Sequence, residues 1–274
     1  MPEFTVTAED GTALAGEETG EGTPVVLLHG LTASRRYVVH GSRALERGGH
    51  RVVAYDARGH GMSSPASAYG YAVLADDLEA VLDDRALDRA VLAGASMGAH
   101  TIVRFALEHP ERVAGMVLIT PGHVPGAEED GDRLETWDRL ARGLHEGGVD
   151  GFLAASDFST MPEPWRETVI RVIRQRLEHH ADLEAVADAV AAVSRSRPFA
   201  ALEDLARLEQ PAVVVGSRDA PDPAHPLRTA QTYAELLPRG RLMVEDEDSS
   251  PLAWQGGQLS RVIAELAADA MRGA

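Results

Sequence analysis

The sequence predicts an α/β fold: a mostly parallel, doubly wound central sheet with a helical cap inserted near its end. Three observations predict it. Short apolar runs of strand length recur along the 274 residues, helical patterns separate them, and one block from Pro121 to about Pro198 holds helical patterns without a strong strand signal. Strands alternating with helices form parallel sheets covered on both faces. The expected organisation is a core of residues 1–120 and 199–274, with residues 121–198 as the cap.

Residues 3–19 read as two strands around the turn Asp10-Gly11. Continuous apolar runs follow at Pro24–Leu28, Arg51–Tyr55, Ala90–Ala93, Val113–Ile119, Pro211–Val215 and Arg241–Glu245. Runs of this kind suit strands buried on both faces. Helical patterns occupy Tyr71–Leu82, Met97–Glu108, Leu227–Leu237 and Gln258–Met271, and within the insertion Trp165–His179 and Leu183–Val193. A cap of this kind shapes a substrate pocket.

Composition narrows the function classes. The chain has no cysteine, which removes thiolate nucleophiles and cysteine-ligated metals. All 26 basic residues are arginine, so neither a Schiff base nor a Ser-Lys dyad is available. A formal net charge of −17 argues against nucleic acid or an anionic membrane as the main partner. No apolar run approaches the roughly 18 residues of a membrane span. The segment MPEFTVTAEDG has neither a basic nor an apolar leader region, so a cytoplasmic location is the default expectation. The expected partner is a small-molecule substrate with an apolar part.

The chemistry centres on Gly94-Ala95-Ser96-Met97-Gly98, which follows one strand and opens a helix. G-x-S-x-G in that context is a nucleophile-elbow motif. A sharp turn needs small neighbours and lifts the serine to a helix N-terminus, where negative charge is favoured.

With this motif the chain resembles the α/β-hydrolase fold family over nearly its whole length. Leu27-Leu28-His29-Gly30-Leu31 resembles the family's oxyanion loop, implying that the Leu31 and Met97 amides hold an oxyanion. Asp56-Ala57-Arg58-Gly59-His60-Gly61-Met62-Ser63 resembles a structural turn of the family. Gly216-Ser217-Arg218-Asp219 stands where the family carries its triad acid, with Asp222 as the competing acid.

The family pattern then departs. Its histidine is expected after the last strand, near Ser249, within Glu245-Asp246-Glu247-Asp248-Ser249-Ser250-Pro251, and no histidine follows His225. Three readings stay open. His225, in the proline-rich loop after the acid strand, can act as base, with Asp219 or Asp222 orienting it. His123, after the strand ending at Ile119, can line the pocket and act instead. Or the site uses no histidine, and the chain is a lyase, a cyclase or a binding module. His40, His50, His109, His145, His179 and His180 are expected to be exposed, His29 and His60 to be structural, and His100 to point toward the sheet.

The favoured expectation is a serine hydrolase cleaving a small carboxylic ester, thioester or lactone through an acyl-enzyme on Ser96. Neither a metal nor an organic cofactor is implied. Phe152, Phe158, Met161, Trp165, Phe199 and Trp254 are candidate apolar lining residues, although each also suits plain core packing.

Overall fold

Alternation along each strand decides how the layers stack. In the computed structural model, which describes residues 2–159, 161–218, 225–246 and 254–272, eight strands form one sheet in the order β1-β2-β4-β3-β5-β6-β7-β8. The strands are β1 (Glu3–Thr7), β2 (Ala13–Thr19), β3 (Thr23–Leu28), β4 (His50–Tyr55), β5 (Ala90–Ala95), β6 (Val113–Ile119), β7 (Ala212–Gly216) and β8 (Gly240–Val244). β1 and β2 pair antiparallel as a hairpin and β2 runs antiparallel to β4, while the other pairings are parallel.

Val26, Leu28, Val53, Leu92, Met116, Leu118 and Val214 face one side. There they meet α2 (Tyr71–Asp84), α3 (Met97–Glu108) and α7 (Leu227–Leu236) through residues such as Leu78, Ile102, Phe105 and Tyr233. Val25, Leu27, Val52, Val91, Val117, Val213 and Val215 face the other side. They are covered by α1 (Ala44–Arg47) and α8 (Gly256–Arg272) through Leu45, Leu259, Ile263 and Leu266. Burial on both faces is the reason the strands read as unbroken apolar runs.

Between β6 and β7 lie α4 (Gly131–Ala155), α5 (Glu163–Leu177) and α6 (Leu183–Val193). α4 breaks at Gly148, whose φ is 56°. Its two halves fold together so closely that a Cβ on Gly143 would sit 2.5 Å from the Gly151 carbonyl oxygen. Leu144, Phe152, Leu177, Val186 and Val190 make a separate small core within these helices. Among the described residues no helix is long and apolar enough to cross a membrane.

Beneath the sheet's helices lies a buried ion pair. Arg58 Nε and Nη2 reach the two carboxylate oxygens of Asp77 on α2, each at 2.7 Å, with exposures of 2% and 0%. Arg58 Nη1 also donates to Asp10 Oδ2 at 2.8 Å and to the Ala68 carbonyl at 3.0 Å. The guanidinium therefore ties the β1–β2 hairpin, the turn after β4 and α2 together. In the same turn Asp56 binds the Arg35 amide (2.7 Å) and guanidinium and the Met62 amide (3.0 Å). Gly61, at φ 52°, is needed there because a Cβ would fall 2.1 Å from Asp56 Oδ2.

Candidate active site

Ser96 sits between β5 and α3 with φ 47° and ψ −108°, a conformation that costs a residue with a Cβ on the order of 1–3 kcal/mol. Its neighbours hold it there. The Ser96 amide donates to the Ile119 carbonyl at 2.9 Å, and its own carbonyl accepts from the His100 amide at 3.0 Å. Gly98 lies against the end of β3, where a Cβ would meet the Leu28 carbonyl oxygen at 2.3 Å. A Cβ on Gly94 would meet the Gly98 carbonyl carbon at 2.5 Å. The two glycines thus let β3, β5 and α3 converge on the serine.

The loop after β3 reaches the same point. A Cβ on Gly30 would lie 3.6 Å from Ser96 Cβ. His29 fixes this loop: its Nε2 accepts the Ala57 amide (2.9 Å), which leaves Nδ1 to donate to the Gly30 carbonyl (2.8 Å). Among the described residues, neither the Leu31 nor the Met97 amide donates to another group. Two N–H groups beside a serine at a helix start can stabilise negative charge.

His225 enters from the segment between β7 and α7, two strand positions from β5. Its Nε2 lies 2.8 Å from Ser96 Oγ, within the reach a general base needs. Asp219, Asp222 and Ser249 lie outside the described residues.

Residues 23–250 match the sequence model of the family described as the alpha/beta hydrolase fold. The chain belongs to the α/β-hydrolase fold family. It is 29% identical to a putative carbamate hydrolase, RutD, of Variovorax paradoxus, over 79% of this chain and 80% of that one. It is 37% identical to a putative non-heme haloperoxidase of Mycobacterium phage D29, spanning only 43% of either chain. The fold superposes on an esterase from Thermogutta terrifontis with a TM-score of 0.80 at 26% identity, over 98% of this chain and 99% of that one.

In this α/β hydrolase chain, then, a histidine meets the serine from the loop after β7. His123 is elsewhere. It is 5% exposed, and its ring packs edge-on against Phe199 and His100, with centroids 5.1 and 5.9 Å away. Its carbonyl accepts from the Tyr233 hydroxyl at 2.8 Å.

Several expectations are corrected by packing. His50 is 9% exposed, at the start of β4, and His109 is half-buried against Phe105. His180 is half-buried: its Nδ1 accepts the Gly61 amide (2.8 Å) and its Nε2 donates to the Thr32 carbonyl (3.2 Å). His100 does not simply face the sheet, because its Nε2 accepts the amides of Gly122 and His123 in the loop after β6. Phe152 belongs to the small helical core, Phe199 to the sheet core, and Trp254 packs on the α8 side while donating to the Gly216 carbonyl (3.0 Å). Phe158, Met161 and Trp165 are half-buried.

Glu245 had no assigned role in the sequence. It is 6% exposed, and its Oε1 accepts the Arg218 amide at 2.6 Å, bracing the chain just after β7. The only signal is a carboxylate closing the run Arg241–Glu245, whose middle residues are apolar.

Burial governs the histidines. Desolvation holds His29 and His123 down to about 4, and pulls His60, His100 and His180 below the ordinary value as well. In the unfolded chain these rings titrate near 6.5. Above that pH both states are neutral and stability is full. As pH falls through 6.5 toward 4, only the unfolded chain gains protons, so stability is lost. The melting temperature is expected to be flat between pH 7 and 8 and to fall by about 10 °C or more by pH 5. Scanning calorimetry across that range checks this, and a melting temperature unchanged at pH 5 would refute it.

Proposed function

We propose that this chain is a serine hydrolase that cleaves a small carboxylic ester, thioester or lactone through an acyl-enzyme on Ser96. The observation that carries the reading is the 2.8 Å contact between His225 Nε2 and Ser96 Oγ. His225 takes the Ser96 proton as Oγ attacks the carbonyl carbon. The Leu31 and Met97 amides receive the charge on the tetrahedral oxygen. The imidazolium returns the proton to the leaving alcohol or thiol. Water then repeats the cycle on the acyl-enzyme and releases the acid.

Asp219 is the proposed acid that orients His225, with Asp222 as the alternative. Residues 121–198 are the proposed cap over the core of residues 1–120 and 199–274, closing an apolar pocket over Ser96. The names of the relatives, a carbamate hydrolase and an esterase among them, support hydrolysis at a carbonyl centre.

A fluorophosphonate probe tests the nucleophile. It is expected to label the chain once, at Ser96 by peptide mapping, and not to label Ser96→Ala. Unlabelled Ser96 after prolonged exposure would withdraw the proposal.

A further inference from the structure

Tyr71 begins α2, where its amide donates to Ser196 Oγ at 2.8 Å. Its ring is 5% exposed and packs with Ala57, Met97, Ala189 and Val193. It therefore lies between the start of α3, beside the nucleophile, and α6 above. Its hydroxyl is 3.0 Å from Nδ1 of His100, one helical turn beyond Ser96.

Which of the two donates is decided at the far side of the imidazole. His100 Nε2 faces two N–H groups, those of Gly122 at 3.0 Å and His123 at 3.1 Å. A ring nitrogen in that position must present its lone pair, so His100 is neutral and carries its proton on Nδ1. Burial of the ring acts in the same direction. Nδ1–H therefore donates to the Tyr71 oxygen, and the Tyr71 O–H cannot point back at it. Among the described residues that O–H meets no other acceptor. A buried donor without an acceptor is costly, and each such group in a native fold calls for an explanation, a catalytic or binding role among them.

We propose that the Tyr71 hydroxyl donates to a second carbonyl oxygen in the substrate, so that the site selects acyl esters or lactones whose chain bears a ketone near the scissile carbonyl. His100 is a positioning residue that aims this donor. The inference rests on the hydrolase reading above, and it deepens that reading by naming the substrate class.

Binding to the Ser96→Ala protein tests it without turnover. The ligands are methyl hexanoate and its 3-oxo, 4-oxo and 5-oxo counterparts, followed by calorimetry. At least one oxo ester is expected to bind about tenfold tighter than the parent. That ratio is expected to fall to about one when Tyr71→Phe is added. The ratio is taken within each protein, so loss of folded material does not alter it, and the ligand series on the Tyr71 protein stands by itself if the Tyr71→Phe variant does not fold. No advantage for any oxo ester, absence of binding included, overturns the proposal, as does an advantage that survives Tyr71→Phe. An oxo preference in a chain whose Ser96 resists the fluorophosphonate would uphold the acceptor site and remove only the hydrolase reading.

Discussion

His225→Ala is expected to lower kcat/KM for a p-nitrophenyl ester by about 10⁴- to 10⁶-fold, the range seen when a serine loses its base. The effect is large because Ser96 is otherwise an ordinary alcohol, and its proton has one imidazole nitrogen within 2.8 Å. Stability should change little, because His225 is half-buried in a loop and fills no core position. Steady-state assay of purified protein checks the rate, and a fall of less than about tenfold would remove His225 as base. The same assay on His123→Ala separates the two histidines named from the sequence. The packing of His123 against His100 and Phe199 predicts a far smaller loss there, within about tenfold.

Asp77→Ala is expected to destabilise the fold by about 3–5 kcal/mol. The variant leaves the Arg58 guanidinium 2% exposed, with Asp10 and the Ala68 carbonyl as remaining partners. Most of the cost is the uncompensated buried charge. Denaturant unfolding measures it, and a loss under about 1 kcal/mol would contradict the assignment. Replacing both partners by apolar residues, Arg58→Met with Asp77→Leu, is expected to recover much of the loss, since no buried charge then remains.

The two results also mark what could be read beforehand. Strands β3 to β7 were legible because burial on both faces leaves no polar alternation to blur the run. α3 and α6 carry strong apolar periodicity and match the expected bounds of Met97–Glu108 and Leu183–Val193. α4 leaves no continuous helical pattern in the sequence because glycines 143, 147, 148 and 151 interrupt it, and the need for three of them is tertiary: Gly143 and Gly151 let the two halves touch, and Gly148 takes the break between them. Ser96 was legible because its strain demands small neighbours in a short, local motif. His225 was nameable as a candidate yet undecidable, since its distance to Ser96 joins residues 129 positions apart. The Tyr71–His100–Gly122 chain left no trace at all, because hydrogen-bond direction depends on partners from three separate elements.

His180 has a mechanical consequence. At the end of α5 it bonds Gly61 and Thr32, while Ala181 N donates to the Gly61 carbonyl (2.8 Å) and Arg176 Nη2 to Thr32 Oγ1 (2.9 Å). Four hydrogen bonds thus rivet the corner between α5 and α6 to two loops of the sheet, one of which carries the Leu31 amide. The loop that carries the Leu31 amide is therefore held from two directions, by β3 on the sheet side and by this corner on the helical side.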